Sequence, residues 1–96
     1  MPDPVTITEV RFVPAPAAEV RTGLLGYLGA PLNGALRLEG LVVRRTLDGR
    51  FVISYPSRRD AAGRKHFLIR PLTDATRRHL ERQVFRELGL EDGAAR

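Results

Sequence analysis

The sequence predicts an α+β domain: an antiparallel β-sheet of about five strands with one C-terminal amphipathic helix packed on it. Three observations carry this expectation. Short runs rich in Val, Ile, Leu and Phe fill residues 5–72 and read as strands. Asn33-Gly34 and Asp48-Gly49 fall between such runs, and these dipeptides favour tight hairpin turns because both residues tolerate positive φ. From residue 73 the apolar spacing changes from strand-like to helical. Consecutive hairpins make an antiparallel sheet, and a single helix covers one of its faces.

The elements come in this order. "VTITEVRF" (5–12) reads as the first strand. "VPAPAAEV" (13–20) holds two prolines and reads as a loop or irregular edge. "RTGLLGYLG" (21–29) is an apolar strand interrupted by three glycines, which permit bulges or close backbone approach. "APLNG" (30–34) is a hairpin turn. In "ALRLEGLVVRRT" (35–46) Leu36 and Leu38 alternate with Arg37 and Glu39, and the alternation breaks after Gly40. A β-bulge at Gly40 would produce that break. "LDGR" (47–50) is the second hairpin turn, and "FVISY" (51–55) places Phe51, Ile53 and Tyr55 on one face. Pro56 cannot donate to a ladder, so it closes that strand or marks an edge. A loop with Gly63 leads to a return strand, "KHFLIRPL" (65–72), ended by Pro71.

The helix is expected over 73–89, with Thr73 or Asp74 as N-cap and Gly89 at its C-terminal end. Leu80, Val84 and Leu88 lie at i, i+4 and i+8 with Phe85 beside them, which makes one apolar stripe. Arg78, His79, Arg82 and Arg86 fall opposite that stripe. Like-charge pairs at i, i+4 along this face cost a few tenths of a kcal/mol each. A bound polyanion would offset that repulsion; a solvated helix face is the plainer reading. Glu81 can relieve part of it by pairing with Arg77 or Arg78.

Ninety-six residues suit one domain, 1–96, with its core about 5–89 and 90–96 a frayed tail. A chain of this size buries roughly 60–65% of its unfolded surface, so the core is modest and homodimerisation would add to it. There is no cysteine, which excludes disulfides and thiolate metal sites. The N-terminal residues lack the basic and apolar regions of a signal peptide, and no apolar run is long enough for a membrane span. The expected setting is cytoplasmic, with no membrane partner.

Charge is concentrated. Residues 44–86 hold twelve Lys or Arg against four acids, whereas the rest of the chain is net acidic. Such a region attracts polyanions. Its densest part is "YPSRRDAAGRKHF" (55–67), where Arg58, Arg59, Arg64 and Lys65 sit on both arms of one expected hairpin tip with Asp60 as the one acid. Arginine forks match phosphate oxygens, and loops on a rigid scaffold can reach into a groove. The candidate nucleic-acid-binding residues are therefore Arg58, Arg59, Arg64 and Lys65 on the hairpin and Arg78 and Arg82 on the helix. Tyr55, Phe51 and Phe67 could stack bases, but core packing is the commoner fate of such side chains.

Catalysis has little support. His66 and His79 lack the spacing of metal ligands, and no P-loop, G-x-S-x-G or dinucleotide fingerprint occurs. The expectation is no enzyme, no catalytic or metal residue, no cofactor and no small-molecule substrate. Two readings of the basic surface compete: a nucleic-acid-binding protein, or an interaction module that docks an acidic protein partner.

The residues Ile7-Thr8-Glu9-Val10-Arg11, Gly49, Phe51-Val52, Pro56-Ser57-Arg58-Arg59, Gly63 and Arg70-Pro71 together resemble the SpoVG family, the stage V sporulation protein G or septation-regulator proteins. The resemblance covers roughly residues 6–88, and the P-S-R-[KR] element is its most specific part. Arg70 stands where the family has His before the proline, and residues 13–34 match poorly. The resemblance implies a small cytoplasmic bacterial dimer that binds DNA and RNA and regulates gene expression, with links to sporulation or septation. It places Arg58 and Arg59 on basic motif positions; Arg64, Lys65, Arg78 and Arg82 come from charge geometry.

Overall fold

The computed structural model describes residues 5–90. Residues 91–96, most of the expected tail, lie outside the described residues. The order is β1 (Arg11–Pro14), α1 (Ala17–Val20), β2 (Leu24–Leu32), β3 (Leu36–Arg45), β4 (Phe51–Ser54), β5 (Ser57–Arg59), β6 (Lys65–Phe67) and α2 (Asp74–Leu88). The α+β class holds. The sheet content differs: β1 to β4 form an antiparallel sheet in sequence order, and β5 and β6 form a separate two-stranded ribbon. There are six strands rather than about five.

The first strand starts later than its composition suggests. Ile7 makes only an isolated bridge to Leu32, and Glu9 turns the chain at φ 50°. The backbone of residues 5–10 is held in part by the β2–β3 turn, where Asn33 N–H donates to Thr6 O (2.8 Å) and Asn33 Oδ1 accepts from Thr6 N–H (2.7 Å), and otherwise by α2. Ile7 N–H donates to Gln83 Oε1 (2.7 Å), Gln83 Nε2 donates to Val5 O (3.1 Å), and Val10 N–H donates to Glu87 Oε1 (3.3 Å). Side chains thus take the place of a ladder partner, which satisfies backbone groups that would otherwise be orphaned. The segment read as a loop supplies the second half of β1, Val13 and Pro14, and the single turn α1. Pro14 is compatible with β1 because that strand is an edge.

Asn33 (φ 54°) and Gly34 (φ 63°) make the expected turn, closed by Ala35 N–H to Leu32 O (3.0 Å). The bulge at Gly40 is also present. Leu28 pairs with Leu41 and Ala30 with Leu38, so β3 spends one more residue than β2 over this stretch, and Gly40 has φ 77°. The extra residue brings Leu38 and Leu41 to the same face, which strict alternation would forbid. Both are buried, as are Leu28, Ala30, Val43, Phe51 and Ile53 on the same side. Leu36, expected to point inward, is 65% exposed because it flanks the turn.

α2 covers this face through Leu80, Val84 and Phe85, all nearly fully buried, with Leu88 packed at the margin. Burying each such side chain is worth roughly 1.5–3 kcal/mol. Thr73 is the N-cap: its Oγ1 accepts from Thr76 N–H (3.1 Å). At the other end Gly89 (φ 76°) and Leu90 close a Schellman motif, with Gly89 N–H to Arg86 O (3.2 Å) and Leu90 N–H to Phe85 O (2.7 Å). Leu90, assigned to the tail from sequence, is half-buried against the core instead.

Candidate nucleic-acid interface

Pro56 ends β4 and separates it from the ribbon. The expected return strand over 65–72 does not pair with β4. Only Lys65–Phe67 is extended, and it pairs with Ser57–Arg59 in the register Ser57↔Phe67, Arg58↔His66 and Arg59↔Lys65. Every residue of this ribbon is exposed. The physical reason is the proline: it removes the N–H that β4 would need to carry the ladder onward. The free edge of β4 is partly met by α2, where Glu81 Oε2 accepts from Ile53 N–H (3.4 Å).

Asp60 organises the ribbon turn. Its Oδ1 accepts from the backbone N–H groups of Ala62 and Arg64, both at 2.9 Å. Its Oδ2 lies 2.8 Å from His66 Nε2 and 3.3 Å from Arg64 Nε. The His66 contact, then the backbone N–H groups and the Arg64 side chain, hold the Asp60 carboxyl below the usual carboxylate range, against an opposing desolvation penalty. Arg59 Nη1 donates to Gly63 O (2.8 Å) and braces the same turn.

Strand alternation puts Arg58 and His66 on one face of the ribbon, and Ser57, Arg59, Lys65 and Phe67 on the other. Arg59 and Lys65 are therefore like charges directly opposite each other, an unfavourable cross-strand pair. Lys65 Nζ lies over the Phe67 ring at 4.8 Å from its centroid, and the Arg70 guanidinium lies at 5.5 Å. Phe67 is thus a cation platform, 43% exposed, and not a core residue. Phe51 is core, stacked at a tilt on Phe85 with centroids 6.1 Å apart. Tyr55 is half-buried, and its hydroxyl finds no hydrogen-bond partner among the described residues.

Of the six candidate residues, Arg58, Arg59, Arg64 and Lys65 come together on the ribbon, with Arg64 already tied to Asp60. Arg78 and Arg82 do not join them. They line a separate recess of about 200 Å³ between α2 and the β3–β4 turn, together with Arg50 and Arg77. Arg77 is neutralised by Asp74 (3.5 Å) and Glu81 (3.1 Å). Arg58, Arg78 and Arg82 have no ion-pair partner among the described residues. His79, assigned to the basic face from the wheel, turns toward the N-terminal segment, and its Nε2 donates to Val5 O (3.0 Å).

Arg50 is the residue that sequence reasoning passed over, since it reads as part of the Asp-Gly turn. The signal lay in its neighbour. Phe51 packs on Phe85, and residues 82 and 78 lie about one and two turns before Phe85 on the helix, so Arg50 is carried to their level.

The fold and this surface define a small α+β domain that displays two groups of cations on rigid elements. Among the described residues, no helix is long and apolar enough to cross a membrane. No protein-family model matches the sequence, and no curated protein matches it.

Proposed function

We propose that this protein binds nucleic acid, DNA or RNA, through its β5–β6 ribbon, without carrying out chemistry on it, as a cytoplasmic regulator of the SpoVG type. The observation that carries the reading is the ribbon itself. Arg58, Arg59 and Lys65 stand exposed on it, while the one nearby acid, Asp60, is spent on building the turn. Cations held on an ordered projection, with little acid to neutralise them, suit phosphate contacts. The SpoVG resemblance supports the same reading and extends it to gene regulation in sporulation or septation.

A homodimer belongs to this proposal. Leu68, Ile69 and Leu72 lie along one exposed segment, at 63%, 40% and 97% exposure. Apolar runs of this kind suit an isologous contact, which would present two ribbons on one side of a two-fold axis.

The test is the double variant Arg58→Ala with Arg59→Ala. Binding to all sequences falls by roughly ten-fold or more, and the log–log salt slope flattens by about one to two units per protomer. Wild-type affinity and slope in the double variant would overturn the proposal. An interaction module for an acidic protein would instead leave the pure protein with no salt-dependent nucleic-acid binding at all.

A further inference from the structure

The two groups of cations are joined by a third recess. The ribbon recess, about 430 Å³, is lined by Arg58, Arg59 and Phe67 among others. Phe67 also lines a recess of about 290 Å³ with Tyr55, Arg70, Pro71 and Arg77. Arg77 in turn lines the helix recess, where Arg50, Arg78 and Arg82 surround the edges of Phe51 and Phe85. Adjacent recesses share a lining residue at each junction, Phe67 and then Arg77, so the three follow one another as a segmented trough from the ribbon, past the base of α2, to the β3–β4 turn.

The charge along the trough is uneven in an informative way. Its two ends carry arginines without acid partners among the described residues, Arg58 at one and Arg78 and Arg82 at the other. Its middle sets two arginines, Arg70 and Arg77, against two acids, Asp74 and Glu81, and is close to neutral; its walls there are Tyr55, Phe67 and Pro71. A chain with phosphates spaced along it and flat apolar groups between them matches that sequence of surfaces. A rigid duplex presents its phosphates on a convex cylinder and would touch only the rims. A flexible single strand can enter the recesses and lay a base against the exposed part of Phe67.

We infer that the trough is a track for single-stranded nucleic acid, gripped at the ribbon and again in the Arg50–Arg78–Arg82 recess. The inference rests on the nucleic-acid reading of the ribbon and adds to it a second grip and a strand preference. Arg50 becomes a binding residue.

The experiment measures the affinity of labelled single-stranded oligonucleotides of graded length, across the range of roughly four to sixteen nucleotides that small single-strand sites occupy. It compares wild type, Arg50→Ala with Arg82→Ala, and Arg21→Ala with Arg86→Ala, which removes the same charge from exposed positions outside the trough. Folding of each is checked by circular dichroism and melting. Short oligonucleotides bind the Arg50/Arg82 variant nearly as well as wild type, because the ribbon alone holds them. Long ones lose about five-fold or more, with a salt slope lower by about one to two units. The control pair loses much less, and a duplex of the same sequence shows no selective loss in the Arg50/Arg82 variant. If that variant matches wild type at every length while wild type binds, the track is overturned and the ribbon proposal stands. An equal loss on duplex and single strand overturns the strand preference. If wild type binds no nucleic acid, the parent reading falls and the track falls with it.

Discussion

Asp60 Oδ2 and His66 Nε2 lie 2.8 Å apart across the turn of the β5–β6 ribbon. The same carboxylate accepts two backbone N–H groups from its own loop. One acid therefore shapes the element that carries the exposed cluster Arg58, Arg59, Arg64 and Lys65. It acts locally, since the ribbon is a separate sheet with no buried residue of its own.

That contact sets a pH dependence. The Asp60 carboxyl is held below its usual value in the folded ribbon. A depressed carboxylate contributes order above its unfolded pKa, about 3.9, and loses it as pH falls through the folded value. The ribbon turn should stay protected at neutral pH and loosen only below about pH 4. Amide exchange at Ala62 and Arg64, measured against pH, reads this directly. Asp60→Ala should raise exchange at both amides at neutral pH while the melting temperature of the core hardly moves. A large drop in melting temperature would mean that the ribbon is part of the cooperative core.

Local rules made much of this fold legible. The Asn33-Gly34 turn, the Gly40 bulge, the Thr73 cap and the Leu80–Val84–Phe85 stripe each depend on residues within a few positions of one another, and each stands where its chemistry puts it. What sequence reasoning missed depends on distant partners. Residues 5–10 look like a strand by composition, yet Val5, Ile7 and Val10 bond through their backbone to Gln83 and Glu87, more than seventy positions away. His79 looks like surface charge on a wheel until Val5 O is seen beside it. The candidate ribbon was legible as a dense cationic hairpin tip. Its separation from β4 stems from Pro56, and the grouping of Arg50 with Arg78 and Arg82 stems from aromatic packing that one-dimensional spacing does not record.

The Gln83 clamp should be worth more than an ordinary surface hydrogen bond. Its side-chain amide both accepts from Ile7 N–H and donates to Val5 O, in a partly buried setting. Gln83→Ala leaves Ile7 N–H without this partner and Val5 O with His79 Nε2 in its place, and the expected loss is about 1–3 kcal/mol in urea unfolding. Gln83→Glu keeps the acceptor but removes the donor, so it should lose less than the alanine variant at neutral pH. If Gln83→Ala is neutral, the N-terminal segment is held by its apolar contacts alone.

Gly26 is a second point of tight fit. A Cβ there would lie 2.5 Å from Val13 O and would overlap the Phe12 ring. The ring could swing aside, but Val13 O belongs to the β1–β2 ladder, where Val13 pairs with Tyr27. Gly26→Ala should therefore push β1 away from β2 and cost about 1–3 kcal/mol, in the range of other overpacking changes. Phe12→Ala made together with Gly26→Ala tests the cause. It relieves the ring overlap only, so a full rescue would show that the carbonyl is not the obstacle.

The Tyr55 hydroxyl is buried without a partner among the described residues. Burial, and then the charge of Glu81, push its pKa from 10.0 up to about 12, with Arg77 opposing. Both facts say that the folded protein holds a neutral phenol in a poorly solvated place. Tyr55→Phe keeps the ring and removes the unsatisfied group, so it should stabilise the protein by about 1 kcal/mol, since an unpaired buried polar group costs roughly 1–3 kcal/mol. The pH dependence has a definite sign. Because the folded state binds the phenolic proton more tightly, the stability contribution is fully present below about pH 10 and is lost as pH rises towards 12. Urea unfolding at neutral and alkaline pH should show that loss in wild type and its absence at this position in Tyr55→Phe. In a Tyr27→Phe background Tyr55 is the one remaining tyrosine, and its phenolate absorbance should emerge well above pH 10 in the folded protein. A destabilised Tyr55→Phe variant, or ordinary tyrosine titration in that background, would mean that the hydroxyl is partnered or hydrated after all.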